Sequence, residues 1–165
     1  CDAYGGAVPT STFTKEKASG KTAILVDVSG SMDGDRLKYA LALAMIGREM
    51  YENVDIYSFS NHNILVPNRR GFALADAIDN SQGHCGTYMW SSINKVSAQG
   101  YERILVITDE QAHDSPSEKV SANMYIVNVA SYDKGVGYTL GTNITHINGF
   151  SDKVFDYIVE VEKGL

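Results

Sequence analysis

The sequence predicts an α/β fold: a doubly wound, mostly parallel central sheet with one antiparallel edge strand and helices on both faces. Three observations carry this expectation. Apolar, β-branched runs such as TAILVDV (residues 22–28) and RILVITD (103–109) lack polar alternation, as strands buried on both faces do. Stretches with helical apolar spacing alternate with these runs. One pair of strands is separated by three residues, too few for a helical crossover.

Residues 1–20 lack periodicity and read as an N-terminal arm or linker, leaving 21–165 as the domain. The run at 22–28 is the first strand. It ends in a turn-rich loop, Ser29-Gly30-Ser31-Met32-Asp33-Gly34. Leu37, Ala40, Leu41, Ala44 and Met45 then recur at helical spacing and predict a helix over 35–51. VDIYSFS (54–60) is the second strand. ILVP (64–67) follows after Asn61-His62-Asn63, so the two form an antiparallel hairpin, and Pro67 suits the end of an edge strand. A short helix over 72–78, a glycine-rich loop over 81–87 and a helix over 88–98 come next. RILVITD (103–109), NMYIVNVA (123–130) and ITHING (144–149) are further strands. SDKVFDYIVEVE (151–162) closes the chain as an amphipathic helix with Val154, Phe155, Ile158 and Val161 on one face and Ser151 as its N-cap.

Composition bounds the function. A chain of 165 residues is long enough for one domain with a sizeable core. With 44% hydrophobic and 21% charged residues it is neither collagen-like, disordered nor a disulfide scaffold. The net charge of −6 makes the chain a poor polyanion binder by its own field. Nucleic-acid contact would require a local basic patch or a second, basic domain, and Arg69-Arg70 is too short to serve. No apolar run approaches the ~20 residues that span a bilayer, so no membrane partner is expected. The polar, glycine-rich start does not read as a signal peptide, and a first residue of Cys reads as a fragment or a processed product. Cys1 and Cys85 are too few for a framework and suit a reducing, cytoplasmic setting, with a single Cys1–Cys85 bridge left open.

Three segments carry the chemistry. The first strand ends in Asp27-Val28-Ser29-Gly30-Ser31, the loop before the 88–98 helix supplies Gly86-Thr87, and the 103–109 strand ends in Thr108-Asp109-Glu110. Each follows or lies beside the C-terminal end of a strand, so all three are expected at one edge of the sheet, where ligands of such folds sit. Asp27, Ser29 and Ser31 alternate and point the same way if the chain leaves the strand extended. Two carboxylates and three hydroxyls form a hard oxygen donor set, which suits Mg²⁺, Mn²⁺ or Ca²⁺ rather than Zn²⁺.

D-x-S-x-S after a hydrophobic strand, then a loop Thr, then an Asp ending a later strand resembles the metal-ion-dependent adhesion site of von Willebrand factor A domains, which share a Rossmann-like architecture. Asp27, Ser29, Ser31, Thr87 and Asp109 fill every motif position, and the resemblance spans residues 20–165. DVSGSM, GHCGT, ITDEQAHD and INGFSDKVFDYI are further similar to the C-terminal A domain of bacterial Ro/TROVE proteins. The resemblance implies that Ser29, Ser31 and Thr87 contact an ion through hydroxyls, and that Asp27 and Asp109 act directly or through water. It implies a protein ligand that presents an acidic side chain to a metal kept electrophilic by few direct carboxylates. Mg²⁺ fits best, since it keeps waters and prefers octahedral geometry. In the Ro/TROVE family a noncoding RNA is bound by an N-terminal ring of helical repeats, which this sequence does not contain.

Simpler readings compete. Asp27, Ser29 and Ser31 could form a strand-end turn and a helix cap, and Thr87 could cap the helix at 88–98. Glu110 and Asp114 read as a solvated loop, and His113 as a surface histidine. Cys85 beside His84 suggests a nucleophile, but adjacent residues seldom face each other and no orienting third group is evident. The expectation is a non-enzymatic, metal-dependent binding module with no catalytic residues. The alternatives are a metal-dependent hydrolase or phosphoryl-transfer enzyme, against which the lack of a G-x-x-x-x-G-K-[ST] run counts, and an interaction domain with an empty site.

Overall fold

β1 (Ala18–Asp27) takes the centre of a six-stranded sheet because its apolar run can be covered on both faces. In the computed structural model, residues 18–109, 120–130, 143–149 and 153–163 are described. β2 (Tyr51–Phe59) and β4 (Arg103–Thr108) flank β1, both parallel to it. β3 (Asn63–Leu65) runs antiparallel to β2 at one edge. β5 (Asn123–Asn128) and β6 (Ile144–Asn148) extend the sheet in parallel on the other side, giving the order β3-β2-β1-β4-β5-β6. The chain therefore winds outward from β1 in one direction and then from β4 in the other, as a doubly wound sheet does.

Strand alternation sorts the core into two layers. Ile24 and Val26 of β1, with Leu105, Ile107 and Val127, face one side. There they meet Leu43 and Ala44 of α1 (Asp35–Met50), Leu74 and Ile78 of α2 (Gly71–Asp79), and Phe155 and Ile158 of α4 (Lys153–Lys163). Ala23 and Leu25, with Val106 and Ile126, face the other side and meet Trp90, Ile93 and Val96 of α3 (Met89–Ser97). Gly47 sets how closely α1 lies on β1, since a Cβ there would stand 2.6 Å from Ile24 Cδ1.

The elements match the sequence reading in type and order, with shifted ends. β1 starts at Ala18, where it pairs with Tyr51 across a register irregularity. β2 starts at Tyr51 rather than residue 54, because Tyr51 is buried against the Phe155 ring and under Arg103 despite its polar neighbours. α1 ends one residue earlier than expected, at Met50, for the same reason. Residues 1–17 of the expected arm and the expected N-cap Ser151 lie outside the described residues. Among the described residues, no helix is long and apolar enough to cross a membrane.

Candidate functional site

The winding of the sheet reverses between β1 and β4, and the candidate residues gather at the C-terminal ends of these two strands. Asp27 closes β1 and is 0% exposed. Its Oδ1 accepts the Ser29 N–H at 2.9 Å, and its Oδ2 accepts the Thr108 hydroxyl at 2.6 Å. The Ser29 hydroxyl also bonds this carboxylate and lies 3.3 Å from the Ser31 hydroxyl. Burial pushes the Asp27 carboxyl up to about 6, and the Asp109 charge adds to the rise, against the hydrogen bonds from Ser29 and Thr108.

Gly30–Met32 form one 3-10 turn after Ser29, and the fully buried Met32 anchors it in the core. Ser29 stands at the N-cap position of that turn without a side-chain capping bond, and Gly34 holds the N-cap position of α1. Ser29 therefore directs its hydroxyl at Asp27 and Ser31 rather than at a helix end, which removes the helix-cap reading of this loop. Gly34 has φ +85°, a conformation that glycine adopts without strain, and it turns the chain into α1.

Asp109 follows β4 and is 0% exposed. Its Oδ2 lies 3.4 Å from Arg36 Nη1, and the same nitrogen donates to the Ser31 carbonyl at 2.9 Å. Arg36, in the first turn of α1, thus joins the loop after β1 to the end of β4.

Thr87 is buried in a loop that is fastened on two sides. Toward β1, the Gly30 N–H donates to the Cys85 carbonyl at 3.1 Å, and His84 Nδ1 lies 2.6 Å from the Val28 carbonyl. A Cβ at Gly30 would stand 3.4 Å from the His84 carbonyl oxygen, in van der Waals contact with the docked loop. Toward β2, the Cys85 N–H donates to Ser60 Oγ at 2.9 Å, the Gly86 N–H to Asn61 Oδ1 at 3.0 Å and the Tyr88 N–H to the Ser60 carbonyl at 3.1 Å. The N-cap position of α3 falls on Tyr88, one residue after Thr87.

Asp27 and Ser31 are thus linked through Ser29, which contacts both. Asp109 joins them through Arg36 and through its charge on Asp27, and Thr87 joins them through its docked loop. His84 has its ring against the Val28 carbonyl and 3.5 Å from Asp79, while the Cys85 thiol is exposed, so this pair is not arranged as a nucleophile and its base. Cys1, Glu110, His113 and Asp114 lie outside the described residues.

The donor set fits a hard dication. Among the described residues, no group of three or more His, Cys, Asp or Glu side chains is placed to hold a metal, so a site here depends on hydroxyl oxygens. Two fully buried carboxylates, one of them lifted to about 6 by burial and by the charge of the other, favour a positive charge beside them. The sequence reading assigned no role to Arg36, Ser60 or Asn61, and quoted Thr108 only as part of its strand. Thr108 carried a faint signal as a hydroxyl beside a strand-end Asp. The other three act through contacts between segments far apart in the chain, which no local pattern encodes.

No protein-family model and no curated protein sequence matches this chain. Its fold is similar to that of the Ro (RSR) protein of Deinococcus radiodurans, with a TM-score of 0.72 and 14% identity over 93% of this chain and 36% of that one. It is also similar to an aerotolerance-related membrane protein from Bacteroides fragilis carrying multiple mutations to serines (TM-score 0.64, 15% identity, 87% of this chain and 98% of that one). A third similar structure is the conserved hypothetical protein BatB from Bacteroides thetaiotaomicron (TM-score 0.61, 13% identity, 88% and 98%). The fold is von Willebrand factor A-like. The chain spans about a third of the length of the Deinococcus Ro protein.

Proposed function

We propose that this chain is a binding module that works through a divalent cation held by Asp27, Ser29, Ser31, Thr87 and Asp109. The observation that carries the reading is a buried Asp27 bonded to the Ser29 hydroxyl, which in turn meets the Ser31 hydroxyl, where the sheet reverses its winding. Mg²⁺ suits this set of neutral hydroxyls and few carboxylates, and Mn²⁺ or Ca²⁺ share the chemistry. When bound, the ion supplies an electrophilic position for an oxygen ligand. The hydroxyls orient it, the carboxylates hold it, and an acidic side chain of a protein partner completes its shell. The module binds without turning over a substrate and acts in the cytoplasm.

The fold likeness to the Deinococcus Ro protein supports a further assignment, to the A-type part of a Ro/TROVE protein. On that assignment noncoding RNA is bound by a separate ring domain and not by this acidic module.

Melting curves of the 165-residue protein in EDTA and in millimolar Mg²⁺, Mn²⁺ or Ca²⁺ test the metal reading. A ligand at a hundred times its Kd adds about 2.7 kcal/mol to the folded state. For a domain of this size that raises Tm by roughly 5–10 °C. Ser31→Ala and Thr87→Ala are expected to shrink the shift while leaving the metal-free Tm within a few degrees. Identical melting under all four conditions would overturn the reading.

A further inference from the structure

Arg36 ties two of the candidate donor segments to each other through a single atom. Its Nη1 lies 2.9 Å from the Ser31 carbonyl, in the loop after β1, and 3.4 Å from Asp109 Oδ2, at the end of β4. Asp109 is 0% exposed, whereas the Arg36 side chain is 36% exposed, so the guanidinium enters the site from its rim. A guanidinium stays charged at every working pH and is a persistent cation wherever it is placed. Here it faces one of two buried carboxylates, beside a loop that carries the neutral Ser29 and Ser31 hydroxyls.

We propose that Arg36 is a built-in counter-ion of this site, which competes with the divalent cation for Asp109 and so sets the concentration at which the site fills. The inference rests on the metal-binding reading above and adds the control of that binding. In the metal-free protein Arg36 offsets the Asp109 charge and keeps Ser31 and Asp109 in register. When a dication enters, the guanidinium becomes a like charge beside it, and part of the Asp109 attraction is already in use. Arg36 therefore stabilises the metal-free site and weakens the hold on metal. An arginine that served only to brace the loop would act differently, since its loss would loosen the donors and weaken metal binding.

The test uses the whole 165-residue protein as wild type, Arg36→Gln and Arg36→Lys. Glutamine removes the charge and keeps a donor for the Ser31 carbonyl, while lysine keeps the charge. Mg²⁺ and Mn²⁺ are titrated calorimetrically, and Tm is read in EDTA. Removing one unit charge beside a largely buried carboxylate is expected to lower the half-saturating Mg²⁺ concentration of Arg36→Gln about 3- to 10-fold. Its Tm in EDTA is expected to fall, and Arg36→Lys to stay within about twofold of wild type in Mg²⁺ affinity. Half-saturation that is unchanged or raised in a folded Arg36→Gln protein, while wild type binds, overturns this inference and leaves the metal reading standing. If Arg36→Gln does not fold, an Arg36→Lys protein that binds Mg²⁺ more than threefold more weakly than wild type overturns it, and matched affinity supports it. If neither wild type nor either variant binds Mg²⁺ or Mn²⁺, both readings fall together.

Discussion

Replacing Asp27 with asparagine separates a charge kept for a ligand from a charge kept for the fold. Asp27 is fully buried, and its carboxyl is raised from 3.8 to about 6, first by burial and further by Asp109. Because the folded value lies above the unfolded one, the folded state binds more protons between about pH 4 and 6. Ionised Asp27 therefore costs the metal-free protein stability above about pH 6, and the cost disappears as pH falls through 6 toward 4. A difference of about two pH units corresponds to an upper figure of about 3 kcal/mol. The asparagine side chain removes the charge and keeps an oxygen for the Ser29 N–H, while its amide meets the Thr108 hydroxyl, which can turn to accept. In EDTA at about pH 7.5, Asp27→Asn is expected to be about 1–3 kcal/mol more stable than wild type, with the gap closing near pH 4. Urea denaturation read by the fluorescence of the single, buried Trp90 measures this, and the same samples with Mg²⁺ should show stabilisation of wild type alone. A variant less stable than wild type in EDTA at that pH would refute the reasoning, because Asp27 would then be a structural carboxylate.

Two further predictions concern the frame that holds the site. In Gly47→Ala the new Cβ meets Ile24 Cδ1 at 2.6 Å and the Phe155 ring at 3.4 Å. The overpacking cost of about 1–3 kcal/mol set against the helix-propensity gain of about 1 kcal/mol leaves a net cost of about 0–2 kcal/mol. A net loss of about 1 kcal/mol in urea denaturation is expected, and a gain would show that α1 can lift off β1 freely. Glu162 of α4 receives Arg103 Nη2 at 2.5 Å, Arg103 Nε at 2.7 Å and the Tyr125 hydroxyl at 2.9 Å, while Arg103 also donates to Thr22 at 2.8 Å and lies over the Tyr51 ring. Burial works against the Glu162 charge, but the bonds and charge of Arg103 and the Tyr125 bond hold its carboxyl below the usual range. Its contribution is therefore present above the unfolded value of 4.5 and fades as pH falls through the lowered folded value. Glu162→Ala is expected to cost about 2–4 kcal/mol at pH 7 by leaving a buried guanidinium without its carboxylate, and a loss under about 1 kcal/mol would count against the clasp.

The parts of the fold that could be read from the chain are those where one local pattern decides the outcome. TAILVDV and RILVITD became β1 and β4 because an apolar run of that length needs cover on both faces, which only a central strand receives. Three residues between β2 and β3 forced an antiparallel edge. Element ends were less legible. Tyr51-Glu52-Asn53 looks like the close of a helix, yet it opens β2, because Arg103 and Phe155, distant in sequence, bury Tyr51. The same division holds at the site. Asp27, Ser29 and Ser31 alternate along one segment, so the contacts of Ser29 with the other two could be foreseen. The docking of the Thr87 loop on Ser60 and Asn61, and the reach of Arg36 from α1 to Asp109, arise only when three segments meet.

That meeting also sets the charge of the site. The carboxylates come from strand ends, where Asp27 and Asp109 are shut away from water, and the loops supply neutral hydroxyls. With Arg36 at the rim, Asp27, Asp109 and Arg36 together carry two negative charges and one positive, a balance of minus one among these described residues in the metal-free protein. On the proposed reading a dication turns that balance to plus one. A site so charged attracts one carboxylate, and the complex is then neutral, the least costly state for charges held out of water. Without Arg36 the loaded site would already be neutral, and an acidic ligand would gain only its bond to the ion. The residue that weakens metal binding is then the one that leaves the loaded site with a net charge for an acidic partner to neutralise, so Arg36→Gln should bind Mg²⁺ more tightly and an acidic ligand less tightly.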